Sequence, residues 1–141
     1  MQTYKRFHLA FPVNDLITTK YFYSEILGCK IGRESRCWID FNFYGHQIVA
    51  HLATDEFKNL QTNFVDGEQI SCRHFGVILG WKEWEGLSKK LNRLNVNYLI
   101  TPRIRFENKV GEQGTFFIED PSGNVLEFKA FKNDSDVFKK F

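Results

Sequence analysis

Apolar and polar side chains alternate along most of this chain. Over residues 6–13, Phe7, Leu9, Phe11 and Val13 fall on one face of an extended segment, with Arg6, His8 and Ala10 on the other. That is the period-two pattern of a half-buried strand. Asn14 or Asp15 then caps a helix with a stripe of Leu16, Thr19, Tyr23, Ile26 and Leu27, and Gly28 ends it. Short strands are predicted over residues 30–33, 36–43 and 47–53. In the second, Trp38, Asp40 and Asn42 oppose Cys37, Ile39, Phe41 and Phe43. Tyr44 and Gly45 turn the chain into the third, where Gln47, Val49 and His51 oppose Ile48, Ala50 and Leu52. Residues 54–71 are polar, include Asp66 and Gly67, and show no strong period, so they read as a long connection.

The pattern then restarts. Residues 72–79 alternate as a strand, with His74, Gly76 and Ile78 opposite Phe75, Val77 and Leu79. Trp84, Leu87, Leu91 and Leu94 recur at helical spacing over residues 81–94, and Asn95 ends that helix. A short strand over 97–100 leads into a polar loop, 101–114, that carries Arg103, Arg105 and Glu107. Strands over 115–119 and 124–131 close this half, joined by a turn in which Pro121 presets φ and Gly123 relaxes the sterics. The order β-α-β-β-β is thus used twice. Module one covers about residues 5–53, the connection 54–71, module two 72–131 and a tail 132–141. The fold class is α+β, with the modules related by a pseudo-twofold and the apolar strand faces covered by the helices.

The chemistry lies on the other strand faces. In the last strand Leu126, Phe128 and Ala130 read as core, while Val125, Glu127 and Lys129 face the opposite way. A carboxylate set among apolar neighbours needs a partner, and the chain has only four histidines, His8, His46, His51 and His74. Phe7-His8-Leu9-Ala10 answers Arg73-His74-Phe75-Gly76, and His51 near the end of the first half answers Glu127 near the end of the second. Each half therefore offers a ligand-type group on its first strand and another on its last. Ala10 and Gly76 leave volume in front of such a site, as a small-molecule pocket requires. His46, beside the Gly45 turn, reads as a structural histidine. Trp38 and Asp40 either line the site or make strand contacts. Arg103 and Arg105 either clamp a substrate carboxylate or are solvated loop arginines.

Composition narrows the classes. The chain has 141 residues, 43% of them hydrophobic, with 15 Phe, 5 Tyr and 3 Trp, enough for a core and a pocket. A net charge of +2 with interspersed signs gives no footprint for nucleic acid. No apolar run reaches membrane-spanning length, and no secretory signal is read at the N-terminus, so a cytoplasmic location is expected. Cys29, Cys37 and Cys72 form no C-x-x-C pair and are expected as free thiols. Gly111 and Gly114 lack the strand-to-helix setting of a phosphate loop.

With these segments in order, the chain resembles the vicinal oxygen chelate superfamily, the fold of glyoxalase I, extradiol ring-cleavage dioxygenases and bleomycin- and fosfomycin-resistance proteins. It is most similar to the small predicted extradiol-type dioxygenases. The likeness is carried by residues 7–13, Phe22-Tyr23, Leu27-Gly28, residues 38–41 and 43–51, residues 73–77, Pro102, Arg105-Phe106, residues 111–113 and residues 117–131. It implies two modules forming an open, barrel-like cup around a divalent metal, with His8, His74 and Glu127 as ligands. Two imidazoles and one carboxylate suit Fe(II) or Mn(II) with O2 and a vicinal-diol or catechol-like substrate. His51 falls where glyoxalases carry a fourth ligand. It is expected either to complete a Zn(II) or Ni(II) site of the isomerase/lyase type, or to act as the acid/base of a dioxygenase. A small-molecule-binding, resistance-type protein is the third reading. A homodimer is the family's habit.

Overall fold

The computed structural model describes residues 4–53, 62–65, 68–71 and 73–140. They fall into two units, one made of 4–53 together with Asp120–Asn124, the other of the rest.

The first unit begins with β1 (His8–Val13). Helix α1 (Leu16–Tyr21) follows, with Asp15 as its N-cap: Oδ2 of Asp15 accepts from the backbone N–H of Thr18 at 2.8 Å. These bonds hold the exposed Asp15 carboxyl below its ordinary range. The helix then widens into a π-turn over Phe22–Ile26, in which Leu27 N–H bonds the carbonyl of Phe22. The extra residue lets Phe22 and Tyr23, adjacent in sequence, both enter the core. Gly28, at φ 78°, closes the turn. Strands β2 (Lys30–Glu34), β3 (Trp38–Phe43) and β4 (His46–Leu52) complete a sheet of order β1-β4-β3-β2. Tyr44 and Gly45, at φ 51° and 88°, form the β3–β4 turn. β1 and β4 are parallel and the other pairs antiparallel. The apolar face (Phe11, Val13, Ile39, Phe41, Ile48, Ala50) packs with Tyr23, whose ring lies 5.1 Å from that of Phe41.

Tyr23 also anchors the 120–124 turn. Its hydroxyl donates to Oδ2 of Asp120 at 2.9 Å, and both residues are buried. Oδ1 of Asp120 accepts from the backbone N–H groups of Ser122 and Asn124, and the Asn124 side-chain amide donates to the carbonyl of Pro12. Burial pushes the Asp120 carboxyl up, outweighing the hydrogen bonds from Asn124, Tyr23 and Ser122 that favour its ionised form. Burial first, and then the Asp120 charge, push the Tyr23 hydroxyl well above its ordinary value.

The sign of the resulting pH effect follows. A carboxyl whose folded pKa lies above its unfolded value binds its proton more tightly when folded. Its stabilising contribution is full below the unfolded value and is lost as pH rises through the folded one. In urea titrations across the acid range, the stability of the wild type relative to Asp120→Asn is therefore expected to fall as pH rises from about 4. Tyr23→Phe, which removes a buried donor to Asp120, is expected to cost about 1–3 kcal/mol at neutral pH. Equal pH profiles for wild type and Asp120→Asn would contradict the assignment.

The second unit starts with a hairpin, β5 (Thr62–Val65) and β6 (Glu68–Ser71), paired antiparallel. The connection read over 54–71 thus contains regular structure. Its strands are four residues each, too short for a period to emerge, while Asp66, Gly67 and Cys72 lie outside the described residues. Cys29, buried, and Cys37, exposed, are thiols rather than halves of a disulfide.

Strands β7 (His74–Leu79), β8 (Tyr98–Arg105), β9 (Gln113–Glu119) and β10 (Val125–Phe131) form a sheet of order β7-β10-β9-β8, with β7 and β10 parallel. Helix α2 (Trp81–Arg93) lies on its apolar face, followed by Asn95 at φ 56°. Trp84 donates its indole N–H to the carbonyl of Phe128 at 2.9 Å, and Phe116 stacks on Phe128 at 5.4 Å. The Trp84 ring lies over Gly114, where a Cβ would come within 2.9 Å of three ring atoms.

Arg103 and Arg105, expected in a loop, belong to the eight-residue strand β8. The strand expected over 97–100 thus runs on to Arg105; two register shifts against β9, between Tyr98 and Ile100 and between Ile100 and Arg103, break the alternation that would mark its second half. Pro102 is tolerated because β8 is the outermost strand of its sheet. Each unit thus carries the predicted β-α-β-β-β order, and in each the first strand pairs in parallel with the last.

Candidate functional site

The second unit presents the denser chemistry. Parallel pairing sets Val125 beside His74 and Glu127 beside Gly76, which puts His74 and Glu127 on the sheet face away from α2. His74 Nε2 lies 3.5 Å from Glu127 Oε1. The other carboxylate oxygen is occupied: Oε2 accepts from the Thr115 hydroxyl at 2.6 Å, and the Lys129 ammonium stands 3.9 Å away. Thr115 is fully buried, so this bond fixes the carboxylate with Oε1 turned toward His74. A buried apolar cluster of Ile100, Phe117 and Val125 lies on the same face, and the His74 ring meets the Phe117 ring edgewise at 5.3 Å. By register Arg103 pairs with Thr115 and Arg105 with Gln113, so both arginines also belong to this face.

In the first unit His8 and Gln47 are register partners, and His8 Nδ1 lies 2.8 Å from Gln47 Oε1. The Gln47 amide nitrogen lies 3.3 Å from Asp40 Oδ2, and Arg33 Nε approaches the same oxygen at 3.9 Å. Asp40 thus makes a cross-strand contact. Trp38 is half-buried on the same face, 5.9 Å beneath the Arg33 guanidinium. His46 accepts the backbone N–H of Phe7 at its Nδ1, 2.9 Å away, and fastens the approach to β1.

His51 is exposed and pairs with Pro12 and Trp38, four positions along the strand from the row holding His8. At about 3.3 Å per residue, that separates the two histidines by about 13 Å along the sheet. The matching registers of the two units refine the correspondence drawn from sequence. Glu127 stands opposite the residue two beyond His74, and its counterpart, opposite the residue two beyond His8, is Val49 rather than His51.

The donor chemistry fits a divalent ion in part within one unit. Two ligand bonds of about 2.1 Å, at angles between octahedral and tetrahedral, place their donor atoms about 3.0–3.4 Å apart. His74 Nε2 and Glu127 Oε1 are within a few tenths of an ångström of that. Among the described residues neither unit gathers three or more His, Cys, Asp or Glu side chains into a cluster able to hold an ion. Gln47, Thr115 and Lys129, which contact the candidate ligands, were not picked out by pattern alone, because their roles depend on strand register.

These features define an α+β protein of two β-α-β-β-β repeats, each with a histidine at the start of its first strand. The chain belongs to the Glyoxalase/Bleomycin resistance protein/Dioxygenase superfamily, whose family model matches residues 5–128. It is similar to a solved glyoxalase/bleomycin resistance protein/dioxygenase from Alicyclobacillus acidocaldarius, with 32% identity and a TM-score of 0.79 over 95% of this chain and 96% of that one. The fosfomycin resistance protein FosX from Listeria monocytogenes shares the fold at 15% identity and a TM-score of 0.69, over 96% of this chain and 100% of that one. A lactoylglutathione lyase from Agrobacterium tumefaciens does so at 12% identity and a TM-score of 0.64, over 99% and 100%. Among the described residues no helix is long and apolar enough to cross a membrane.

Proposed function

We propose that this chain is a divalent-metal-dependent enzyme of the extradiol dioxygenase type, with His8, His74 and Glu127 as its metal ligands. The observation that carries the reading is the His74–Glu127 pair, 3.5 Å apart, with the remaining carboxylate oxygen tied to Thr115. Family membership supports it, and so does the equivalent placement of His8 and His74 at the start of parallel-paired strands. Fe(II) or Mn(II), when bound, supplies the electrophilic and redox chemistry that joins O2 to a vicinal-diol or catechol-like substrate. The chain's own residues do the rest. Ile100, Phe117 and Val125 give an apolar bed for a ring, and Arg103 and Arg105 suit an anionic substituent. His51 is left outside the ligand set, since Val49 occupies the position equivalent to Glu127, and at about 13 Å along the sheet from His8 it is beyond direct proton transfer to a group bound there. The enzyme is proposed to act in the cytoplasm as a homodimer.

The second reading, a glyoxalase-like isomerase or lyase with Zn(II) or Ni(II), needs a fourth ligand, and it ranks second because His51, the residue expected in that role, lies about 13 Å along the sheet from His8. Elemental analysis of protein purified without oxygen or added metal separates the readings. About one iron or manganese per chain, with catechol-dependent O2 uptake that His8→Ala abolishes, is expected. Zinc or nickel with activity retained under anaerobic conditions would move the assignment to the isomerase. Absence of metal uptake, with ligand binding indifferent to chelator, would leave a resistance-type binder.

A further inference from the structure

We infer that Gln47, itself held by Asp40, is a positioning residue that locks His8 in the Nδ1–H tautomer and so reserves the Nε2 lone pair for a ligand. The inference rests on the proposed metal-binding role of His8 and adds two residues to it.

An ionised carboxylate only accepts hydrogen bonds. The Gln47 side-chain atom 3.3 Å from Asp40 Oδ2 is therefore the amide NH2, and Arg33 Nε approaches the same oxygen at 3.9 Å. With its nitrogen committed to Asp40, Gln47 can turn only its carbonyl oxygen toward His8. That oxygen lies 2.8 Å from His8 Nδ1 and accepts a proton there. A neutral imidazole with the proton on Nδ1 carries its lone pair on Nε2. Were the amide reversed, its NH2 would donate to Nδ1, the proton would sit on Nε2, and that nitrogen could not coordinate. Position enforces the arrangement, because His8 and Gln47 are direct register partners on β1 and β4, and Asp40 lies on the adjacent β3 with little of its surface exposed. The device parallels Thr115 in the other unit, which occupies one oxygen of Glu127 and leaves the other available.

The test uses the whole chain and reads the tautomer directly. Long-range proton–nitrogen correlation spectra of the metal-free protein, at mildly alkaline pH, are expected to show His8 protonated at Nδ1. Gln47→Leu is expected to shift it toward the Nε2–H form. Gln47 is exposed, so the substitution leaves the core intact. Asp40→Asn, which frees the amide to reverse, is expected to give a mixture. Calorimetric titration with Mn(II) alone is expected to show about a 10-fold loss of affinity in Gln47→Leu. Nε2–H in the wild type, a tautomer unmoved by Gln47→Leu, or tight Mn(II) binding unchanged in that variant would each overturn the inference. Wild-type protein that shows the Nδ1–H form but takes up no Mn(II) would uphold the lock and overturn the metal reading instead.

Discussion

Glu127→Gln is expected to lose divalent-metal affinity by about 100-fold or more, beyond the 10–100-fold typical of changes just outside the ligand shell. The substitution is nearly isosteric and leaves Thr115 an acceptor for its hydroxyl, so the sheet has no reason to rearrange. What disappears is the negative charge on the oxygen 3.5 Å from His74 Nε2. An amide oxygen is a far weaker ligand for Fe(II), Mn(II) or Zn(II) than a carboxylate. Titration with Mn(II), followed by calorimetry and by the metal-induced rise in Tm, measures the effect. The thermal shift should shrink in the variant, while the metal-free Tm moves by only a few degrees. Undiminished affinity would mean that His74 and Glu127 form a structural pair, with Lys129 as the carboxylate's second partner. This variant separates the two because a structural pair responds in Tm and a ligand responds in affinity.

Much of this arrangement is legible in the sequence. The β-α-β-β-β repeat follows from periods that switch from 2 to 3.6 and back. Asp15, Gly28, the Tyr44-Gly45 turn and Asn95 sit at the ends that local chemistry assigns them. His8, His74 and Glu127 could be placed on strand faces by alternation alone. Register could not be read in this way. One sequence shows which way a side chain points but not which residue of the next strand it meets, since sliding by two residues preserves every face. That is why His51 was matched with Glu127 when the pairing puts Val49 there, and why the partners Gln47 and Thr115 went unnoticed. β8 is legible only at its start, over residues 97–100, for a related reason: its bulges against β9 put two interruptions into an eight-residue strand and make Arg103 and Arg105 look like loop residues. The volume read at Gly76 was also misassigned, for that glycine is filled by backbone.

Gly76→Ala should therefore be the most destabilising small substitution near the candidate site. Gly76 is the register partner of Glu127 across the parallel β7–β10 pair. A Cβ built on Gly76 runs into the carbonyl oxygen of Glu127 and also meets the adjoining backbone atoms of that residue. Backbone in the middle of a paired strand cannot step aside as a side-chain tip can, so the strands must separate or shear, at a cost of about 3 kcal/mol or more. The sign is the informative part. Gly→Ala at an unstrained position normally stabilises by about 0.4–1 kcal/mol, because alanine restricts the unfolded chain. Gly86→Ala supplies that control: Gly86 lies within α2 with nothing within 4 Å of its would-be Cβ, and replacement there should stabilise by about 0.5–1 kcal/mol. Urea unfolding of the two variants beside the wild type measures both effects. Because Gly76 is two residues from His74 and faces Glu127, the same strand shift moves the two donors relative to one another. A Gly76→Ala protein that still folds should bind Mn(II) more weakly even where it is fully native. A neutral or stabilising Gly76→Ala would mean that β7 and β10 lie farther apart at this point, and the close approach that sets His74 against Glu127 would have to be redrawn.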